Sequence, residues 1–288
     1  MRRSPFPAAP AVEADLLAPP APATTGVLTA ARAPGRDDVA VIAHRGSSGI
    51  APENTLAAVH AAVRQGADMV ENDIHRTADG ELVVVHDATL SRTTDVEQVF
   101  PDRAPWRVGD LTLAEIRRLD AGSWFAEEFA GERVPTLQEW LDAVGTRSGM
   151  LLEVKAPALY PGIEHQLDQV LRSLPHHEES TRAGRMVVQS FDHGWLRRYA
   201  ELAPEMTVGA LFAARPGVED IAAAAGWAHQ VNPGLEVLDE ATVTAVHDHG
   251  LAINVWTVDD GRAMRRARAW GVDGIITNYP QVLLDLGT

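Results

Sequence analysis

Four short segments combine histidine, acidic and basic residues at or near the ends of apolar runs. They read "HRG" at 44–46, "ENDIH" at 71–75, "HD" at 86–87 and "EVK" at 153–155. Because side chains alternate faces along a strand, Glu71 and Asp73 are expected to emerge on the same side. Two buried carboxylates side by side repel each other, so this arrangement predicts a cation between them.

A metal site is the first interpretation of these acids. Glu71, Asp73 and Glu153 would form an all-oxygen ligand set, which hard divalent cations such as Ca²⁺ or Mg²⁺ prefer. The sequence therefore predicts a Ca²⁺ or Mg²⁺ cofactor at these three residues. The alternative is that the acids form ordinary salt bridges with Arg45 or Lys155.

Two histidines follow apolar runs directly and predict acid and base catalysis. His44 and His86 could serve as general base and general acid near neutral pH. His75 is the nearest rival, since it lies two residues beyond Asp73 on the same strand face. The other histidines are expected to be ordinary core or surface residues.

Two basic residues flank the predicted metal and indicate the substrate. Arg45 and Lys155 would stabilise the negative charge on the nonbridging oxygens of a phosphate, so the constellation favours phosphoester cleavage. Nearby, Asn54 is predicted to cap the first helix. Glu53 is expected to support the site without binding the metal.

The elements that must position these residues alternate regularly. From about residue 38, runs rich in β-branched residues alternate with amphipathic helical stretches, and roughly eight strands are readable. This alternation predicts an α/β fold, a TIM (β/α)₈ barrel, whose site lies at the carboxyl ends of the strands. The strand runs are "VAVIAH" (39–44), "MVENDI" (69–74), "ELVVVHD" (81–87), "MLLEVK" (150–155), "MVVQSF" (186–191), "TVGALF" (207–212), "HQVN" (229–232), "AINVWTV" (252–258) and "GIITN" (274–278).

Two segments depart from the alternation. After the third strand, residues 88–135 show a loop and at most a short helix at 112–119, which predicts an inserted region over the site. Residues 1–37 are rich in Pro and Ala and predict a disordered tail, which leaves 38–288 as the barrel domain.

Composition restricts the class of partner. A net charge of −15 argues against nucleic acid and anionic membranes as partners, and the chain has no cysteine for disulfides or thiolate sites. The sequence contains no run of about 18 apolar residues, so stable membrane insertion is not expected. The composition leans towards a cytoplasmic protein, with secretion as the alternative, and the oligomeric state is not readable.

Several motifs, in order from about residue 40 onward, resemble the glycerophosphodiester phosphodiesterase family. They are "HRGSSGIAPENT", "GADMVENDIHRTADGELVVVHD", "RTT", "RVPTLQEWL", "LLEVK", "VVQSF", "NVWTV" and "GVDGIITNYP".

The resemblance implies a TIM barrel with an insertion after the third strand. It implies His44 and His86 as the acid/base pair, and it implies the metal ligands Glu71, Asp73 and Glu153. Arg45 and Lys155 become phosphate contacts. Phe191 and Trp256 are expected beside the glycerol, with packing of the barrel as the alternative. The implied reaction is hydrolysis of a small glycerophosphodiester, such as glycerophosphocholine, to an alcohol and glycerol 3-phosphate. Asn72 departs from the apolar or aromatic residue that the family often has between the first two ligands.

Two other functions remain open at this point. The first is a phospholipase D-like lyase or hydrolase that acts on lysolipids or sphingolipids. The second is a non-catalytic barrel that binds phosphorylated ligands, although such a protein would be expected to lack part of the constellation. Head-group specificity is expected to depend on the loops at 88–135 and 156–163.

Overall fold

The chain folds into a closed barrel of parallel strands. The computed structural model describes residues 39–287, so the predicted tail at 1–37 lies outside the described residues. Eight parallel strands follow one another around the barrel in the order β1-β2-β4-β5-β6-β7-β8-β9, and β9 pairs with β1 to close it. The predicted TIM barrel is confirmed. The strands are β1 Ala40–Ala43, β2 Met69–Arg76, β3 Leu82–Val84, β4 Gly149–Val154, β5 Met186–Ser190, β6 Thr207–Phe212, β7 Gln230–Pro233, β8 Ala252–Val255 and β9 Gly274–Thr277.

The sequence predicts β3 as one of the barrel strands, but in the structure β3 is not among the eight parallel strands. It pairs antiparallel with the end of β2, with Ile74 opposite Val84 and Arg76 opposite Leu82. The chain reverses between them in a turn where Thr77 N–H donates to the carbonyl of Glu81 at 2.9 Å. A parallel connection requires a dozen or more residues, so this short link permits only a hairpin.

Helices cover the outer face of the barrel, and their apolar sides bury the outward-facing strand residues. The helices are α1 Leu56–Gln65, α2 Val96–Val99, α3 Leu113–Ile116, α4 Leu137–Val144, α5 Ile163–Arg172, α6 His177–Arg182, α7 His193–Leu202, α8 Val218–Ala225, α9 Glu240–Asp248, α10 Gly261–Trp270 and α11 Pro280–Asp285. Inside the barrel a small apolar layer fills the interior below the site. It consists of Ile42, Met69, Leu151, Val187 and Ile276.

The region between β3 and α4 is more ordered than the loop that the sequence predicts. It contains α2, α3 and several single turns, and it buries an apolar core of its own against Val83 and Val85. Thr112 begins α3 with a capping box, because its hydroxyl accepts from Glu115 N–H while the Glu115 carboxylate accepts from Thr112 N–H. The insertion is therefore a small packed layer at the carboxyl end of β2.

Candidate active site

Three buried carboxylates converge inside the barrel mouth. The alternation along β2 places Glu71 and Asp73 on one face, and Asp73 lies in register with Glu153 of β4. One oxygen from each of the three lies within 4.8 Å of the others. The sequence prediction that these residues come together is confirmed by this geometry.

The pKa values of the three acids diverge because they are crowded. Burial, with the carboxylates of Asp73 and Glu153 nearby, raises the pKa of Glu71 well above its usual range. Burial and Asp73 together raise the pKa of Glu153 to about 7. Burial opposes ionisation of Asp73 as well, but Arg45 and Lys155 hold the pKa of Asp73 below its usual range. The cluster is thus short of positive charge.

The residues present fit a divalent cation. Salt bridges with the two basic residues do occur: Arg45 Nε lies 3.2 Å from Asp73, and Lys155 Nζ lies 2.6 Å from Glu153 and 3.5 Å from Asp73. Even so, Oδ1 of Asp73, the oxygen that lies 3.5 Å from Lys155 Nζ, is buried and accepts no hydrogen bond from any residue in 39–287. An all-oxygen set with a spare buried acceptor suits Ca²⁺ or Mg²⁺.

The wider charge balance of the mouth points the same way. Arg45, which pairs with Asp73, also pairs with Glu53. Arg92 in turn pairs with both Glu53 and Asp87. Five carboxylates then share three basic side chains, which leaves two excess negative charges when all are ionised. One divalent cation would neutralise them.

His44 follows β1 and is held by a polar chain from the last strand. Its Nδ1 lies 2.7 Å from Oδ1 of Asn278, whose Nδ2 donates to Asp259 at 2.6 Å. An amide oxygen only accepts, so Nδ1 of His44 carries the hydrogen and Nε2 carries the lone pair. Burial, with Arg45 beside the ring, lowers the pKa of His44 to about 4. A neutral imidazole with an accessible lone pair can act as a base.

His86 approaches the mouth from the hairpin strand β3. Its Nδ1 lies 2.6 Å from Oδ1 of Asp87, and an ionised carboxylate only accepts, so Nδ1 carries the hydrogen. Burial opposes ionisation of Asp87, but its bonds with Arg92 and His86 lower the pKa of Asp87 to about 2. A carboxylate therefore stands beside the ring that gains positive charge when Nε2 is protonated.

His75 has a supporting position. It is buried in β2, its Nε2 lies 3.1 Å from the backbone carbonyl of His86, and its Nδ1 lies 2.8 Å from the Tyr160 hydroxyl. A carbonyl only accepts, so Nε2 is the donor and Nδ1 accepts from Tyr160. With both ring nitrogens engaged, His75 holds the backbone of His86.

Three further residues belong to the site: Glu53, which the sequence predicted as a supporting residue, Asn54, which it predicted as a helix cap, and Arg92, to which it gave no role. Asn54 is not the helix cap, because Thr55 begins α1 and accepts from Ala58 N–H. Asn54 has a left-handed φ of 61° and donates from Nδ2 to Asp73 at 2.9 Å, which supports the carboxylate. Glu53 bonds with Arg45 and with Arg92, and Arg92 reaches it from the insertion.

The loop after β1 approaches α1 closely at Gly46. This residue has φ of 81°, and a Cβ there would lie 2.6 Å from the backbone of Ala58. Only glycine fits such a position without strain. The tight turn presents Arg45 N–H to Glu71 at 2.8 Å, so the backbone as well as the guanidinium contacts the acids.

Comparison with known proteins identifies the family. The model of the glycerophosphoryl diester phosphodiesterase family matches residues 44–282. The chain belongs to this family. The chain is 38% identical over 248 residues to the glycerophosphodiester phosphodiesterase of Caldanaerobacter subterraneus subsp. tengcongensis, covering 85% of this chain and 96% of that relative. It is 34% identical over 264 residues to that of Bacillus subtilis, covering 85% of each chain.

Solved structures extend the similarity to the fold. An Oleispira antarctica phosphodiesterase in complex with the product sn-glycerol-3-phosphate shares 30% sequence identity with this chain and superimposes with a TM-score of 0.75, covering 85% of this chain and 95% of the other. Glycerophosphodiester phosphodiesterases are phosphoric diester hydrolases, and this family member is an enzyme of that class.

The aromatic residues predicted beside the glycerol lie together at the mouth of this phosphodiesterase. The rings of Phe191 and Trp256 meet edge to face with centroids 5.7 Å apart, and Lys155 Nζ lies 5.8 Å from the Phe191 centroid. Trp256 donates from Nε1 to the carbonyl of Asn232 at 2.8 Å.

None of the helices between residues 39 and 287 combines the length and the apolar composition that crossing a bilayer requires.

Proposed function

We propose that this family member hydrolyses glycerophosphodiesters, such as glycerophosphocholine, to an alcohol and glycerol 3-phosphate, with a divalent cation as cofactor. The main support is the buried cluster of Glu71, Asp73 and Glu153. A cation held there would supply Lewis acidity towards a nonbridging phosphate oxygen. Whether Ca²⁺ or Mg²⁺ is the native ion is part of the test.

The two histidines have different roles in this proposal. His44, whose pKa is lowered to about 4 by burial and by Arg45, accepts the proton of the nucleophile through Nε2. His86, with Asp87 beside its Nδ1, gives a proton to the leaving alkoxide. The nucleophile is a water molecule or the neighbouring glycerol hydroxyl, which would give a cyclic phosphate first.

The basic and aromatic residues position the diester. Arg45 and Lys155 contact the nonbridging oxygens. Among the described residues no hydrogen bond occupies Nη2 of Arg45, which leaves donors available for phosphate. Phe191 and Trp256 present an apolar corner to the carbon atoms of glycerol.

The experiment is to measure glycerol 3-phosphate release from glycerophosphocholine by metal-stripped protein, with and without added Ca²⁺ or Mg²⁺. Release that requires metal is the expected result. In ¹⁸O-labelled water both routes place one solvent oxygen in the phosphate product, so product without label would refute hydrolysis. The absence of release with either metal would refute the proposed substrate.

Cleavage of lysolipids is a second candidate, and one distribution of side chains favours it. Among residues 39–287, every exposed large apolar side chain follows the carboxyl end of a strand or lies in the insertion, around the mouth of the barrel. These residues are Ile50, Trp124, Leu159, Phe191, Val218, Tyr279 and Val282. Apolar side chains placed around one mouth suit a substrate that still has an acyl chain.

The lysolipid candidate has its own test. Activity on lysophosphatidylcholine micelles without activity on glycerophosphocholine would favour it over the first proposal. Leu159→Ser and Val218→Ser, at the two most exposed of these positions, should then weaken the action on micelles. Equal rates of the serine variants and the parent on micelles would contradict a role for these side chains.

A further inference from the structure

Arg92 connects the insertion to both halves of the site. Its Nε donates to Oδ2 of Asp87 at 2.7 Å, and its Nη1 and Nη2 donate to the two oxygens of Glu53 at 2.9 and 2.8 Å. A further contact joins Nη2 to Oδ1 of Asp87 at 3.3 Å. One guanidinium therefore holds two carboxylates at once, each through two oxygens.

This geometry makes Arg92 part of a continuous chain of alternating charge. The chain runs from His86 to Asp87, then to Arg92, Glu53 and Arg45. Each link lies between 2.6 and 2.9 Å. Its members come from the loop after β1, from the end of β3 and from the insertion, so no single element could hold them in place.

We propose that Arg92 is a positioning residue that fixes the tautomer and orientation of His86 through Asp87. The proposal rests on the proposed function, in which His86 protonates the leaving group. Four of the five N–H groups of the Arg92 guanidinium are directed to the two carboxylates, so its described bonds serve to hold Asp87 and Glu53 in place. Arg45 is held independently of Arg92, since its backbone N–H donates to Glu71 and its Nε lies 3.2 Å from Asp73, so loss of Arg92 affects His86 most directly.

A guanidinium is required here because an ammonium cannot reproduce the arrangement. Arg92 presents donors in a rigid plane that matches two carboxylates, whereas a lysine offers one point of charge. Arg92→Lys should therefore behave like Arg92→Ala, although it keeps the charge. A role of simple charge compensation predicts the opposite, namely that lysine restores activity.

The experiment compares two leaving groups. Glycerophosphocholine releases an alkoxide that needs a proton, whereas the p-nitrophenyl diester of glycerol 3-phosphate releases a stable anion that does not. Arg92→Ala and Arg92→Lys should each lower kcat on glycerophosphocholine about 10–100-fold, the range typical when an outer partner that orients a metal-ligating residue is removed. Both variants should retain most of the parent rate on the p-nitrophenyl ester, and KM should change little.

Arg103→Ala is the matched control. Arg103 lies in the same insertion, its side chain is 42% exposed against 43% for Arg92, and it also pairs with a carboxylate, that of Glu115. Its partners do not reach the site, so both substrates should be cleaved at the parent rate. Circular dichroism melting of all three variants shows whether the fold is kept.

Three results would overturn the inference: equal loss on both substrates, full activity of Arg92→Ala, or recovery by lysine. If Arg92→Ala does not fold, Arg92→Lys alone decides between orientation and charge. If the parent protein cleaves neither glycerophosphocholine nor the p-nitrophenyl diester, the proposed function itself is refuted, which is a different result from failure of the inference about Arg92.

Discussion

Replacing Asn72 by leucine should stabilise the protein. Asn72 is fully buried in β2, and neither Oδ1 nor Nδ2 has a hydrogen-bond partner among residues 39–287. Its side chain emerges opposite to Glu71 and Asp73, on the face where Val70 and Ile74 join the outer core. An unpaired amide thus occupies an apolar environment.

The expected magnitude follows from this environment. Burying an amide without a partner costs about 1–3 kcal/mol in mutational data. Leucine has the same number of side-chain heavy atoms and a similar branched shape, so Asn72→Leu removes the unpaired amide, but its two methyl groups are bulkier than the planar amide and overpacking offsets part of the gain. We expect the free energy of unfolding to rise by about 1 kcal/mol after this offset, which raises Tm by roughly 2–4 °C in a chain of this size.

The assay is thermal and urea unfolding of the metal-stripped protein, with Asn232→Leu as the matched control. Asn232 is equally buried, but its Nδ2 donates to Gln189 at 2.9 Å and its Oδ1 accepts from Asn254 N–H at 3.2 Å. The same substitution there leaves both partners unpaired, so it should lower Tm. A fall in Tm for Asn72→Leu would refute the reasoning, because it would mean that the site accommodates the amide better than the larger apolar side chain.

Three other outcomes test the catalytic site. His44→Ala and His86→Ala should each lower kcat on glycerophosphocholine by about 10²–10⁴-fold without loss of the circular dichroism spectrum, and full rates would contradict both roles. Glu71→Gln should weaken Ca²⁺ binding in calorimetry, whereas unchanged affinity would place the ion elsewhere. Because burial and Asp73 raise the pKa of Glu153 to about 7, this group binds a proton at pH 6 and releases it above pH 7. Calcium affinity should therefore rise about tenfold between pH 6 and pH 8, and calcium binding at pH 6 should release the proton of Glu153. A calcium affinity that does not change with pH would contradict Glu153 as a ligand.

The chemistry of the site was predictable wherever it depended on strand periodicity. Glu71 and Asp73 share a face because strand side chains alternate, and Glu153 joins them because parallel strands place their carboxyl ends at one edge. These are local rules that need only the spacing of residues. The eight-stranded barrel followed from the same kind of pattern.

Long-range partners were beyond such rules. The bond between Arg92 and Glu53 joins residues 39 positions apart, and nothing in either local pattern specifies it. Asn54 was predicted as a helix cap because its neighbourhood matches that signal, yet Thr55 one residue later supplies the cap. The direction of β3 was in principle readable from the short link after β2, because that link cannot span a parallel connection.

His86 follows the hairpin strand β3, whereas the acidic cluster lies on barrel strands. The two parts of the site can therefore be changed independently of each other. The acidic cluster stands on the barrel strands β2 and β4, His44 directly follows the barrel strand β1, and each of these three strands pairs with barrel strands on both sides. His86, Asp87 and Arg92 stand outside the barrel strands, on the segment that follows β3, and the β3 ladder pairs with the end of β2. A chimaera that exchanges residues 77–135 with those of a relative would replace the proposed proton donor and its surroundings as one unit, while the barrel keeps the acidic cluster. Leaving-group preference and metal chemistry are thus separable for protein engineering.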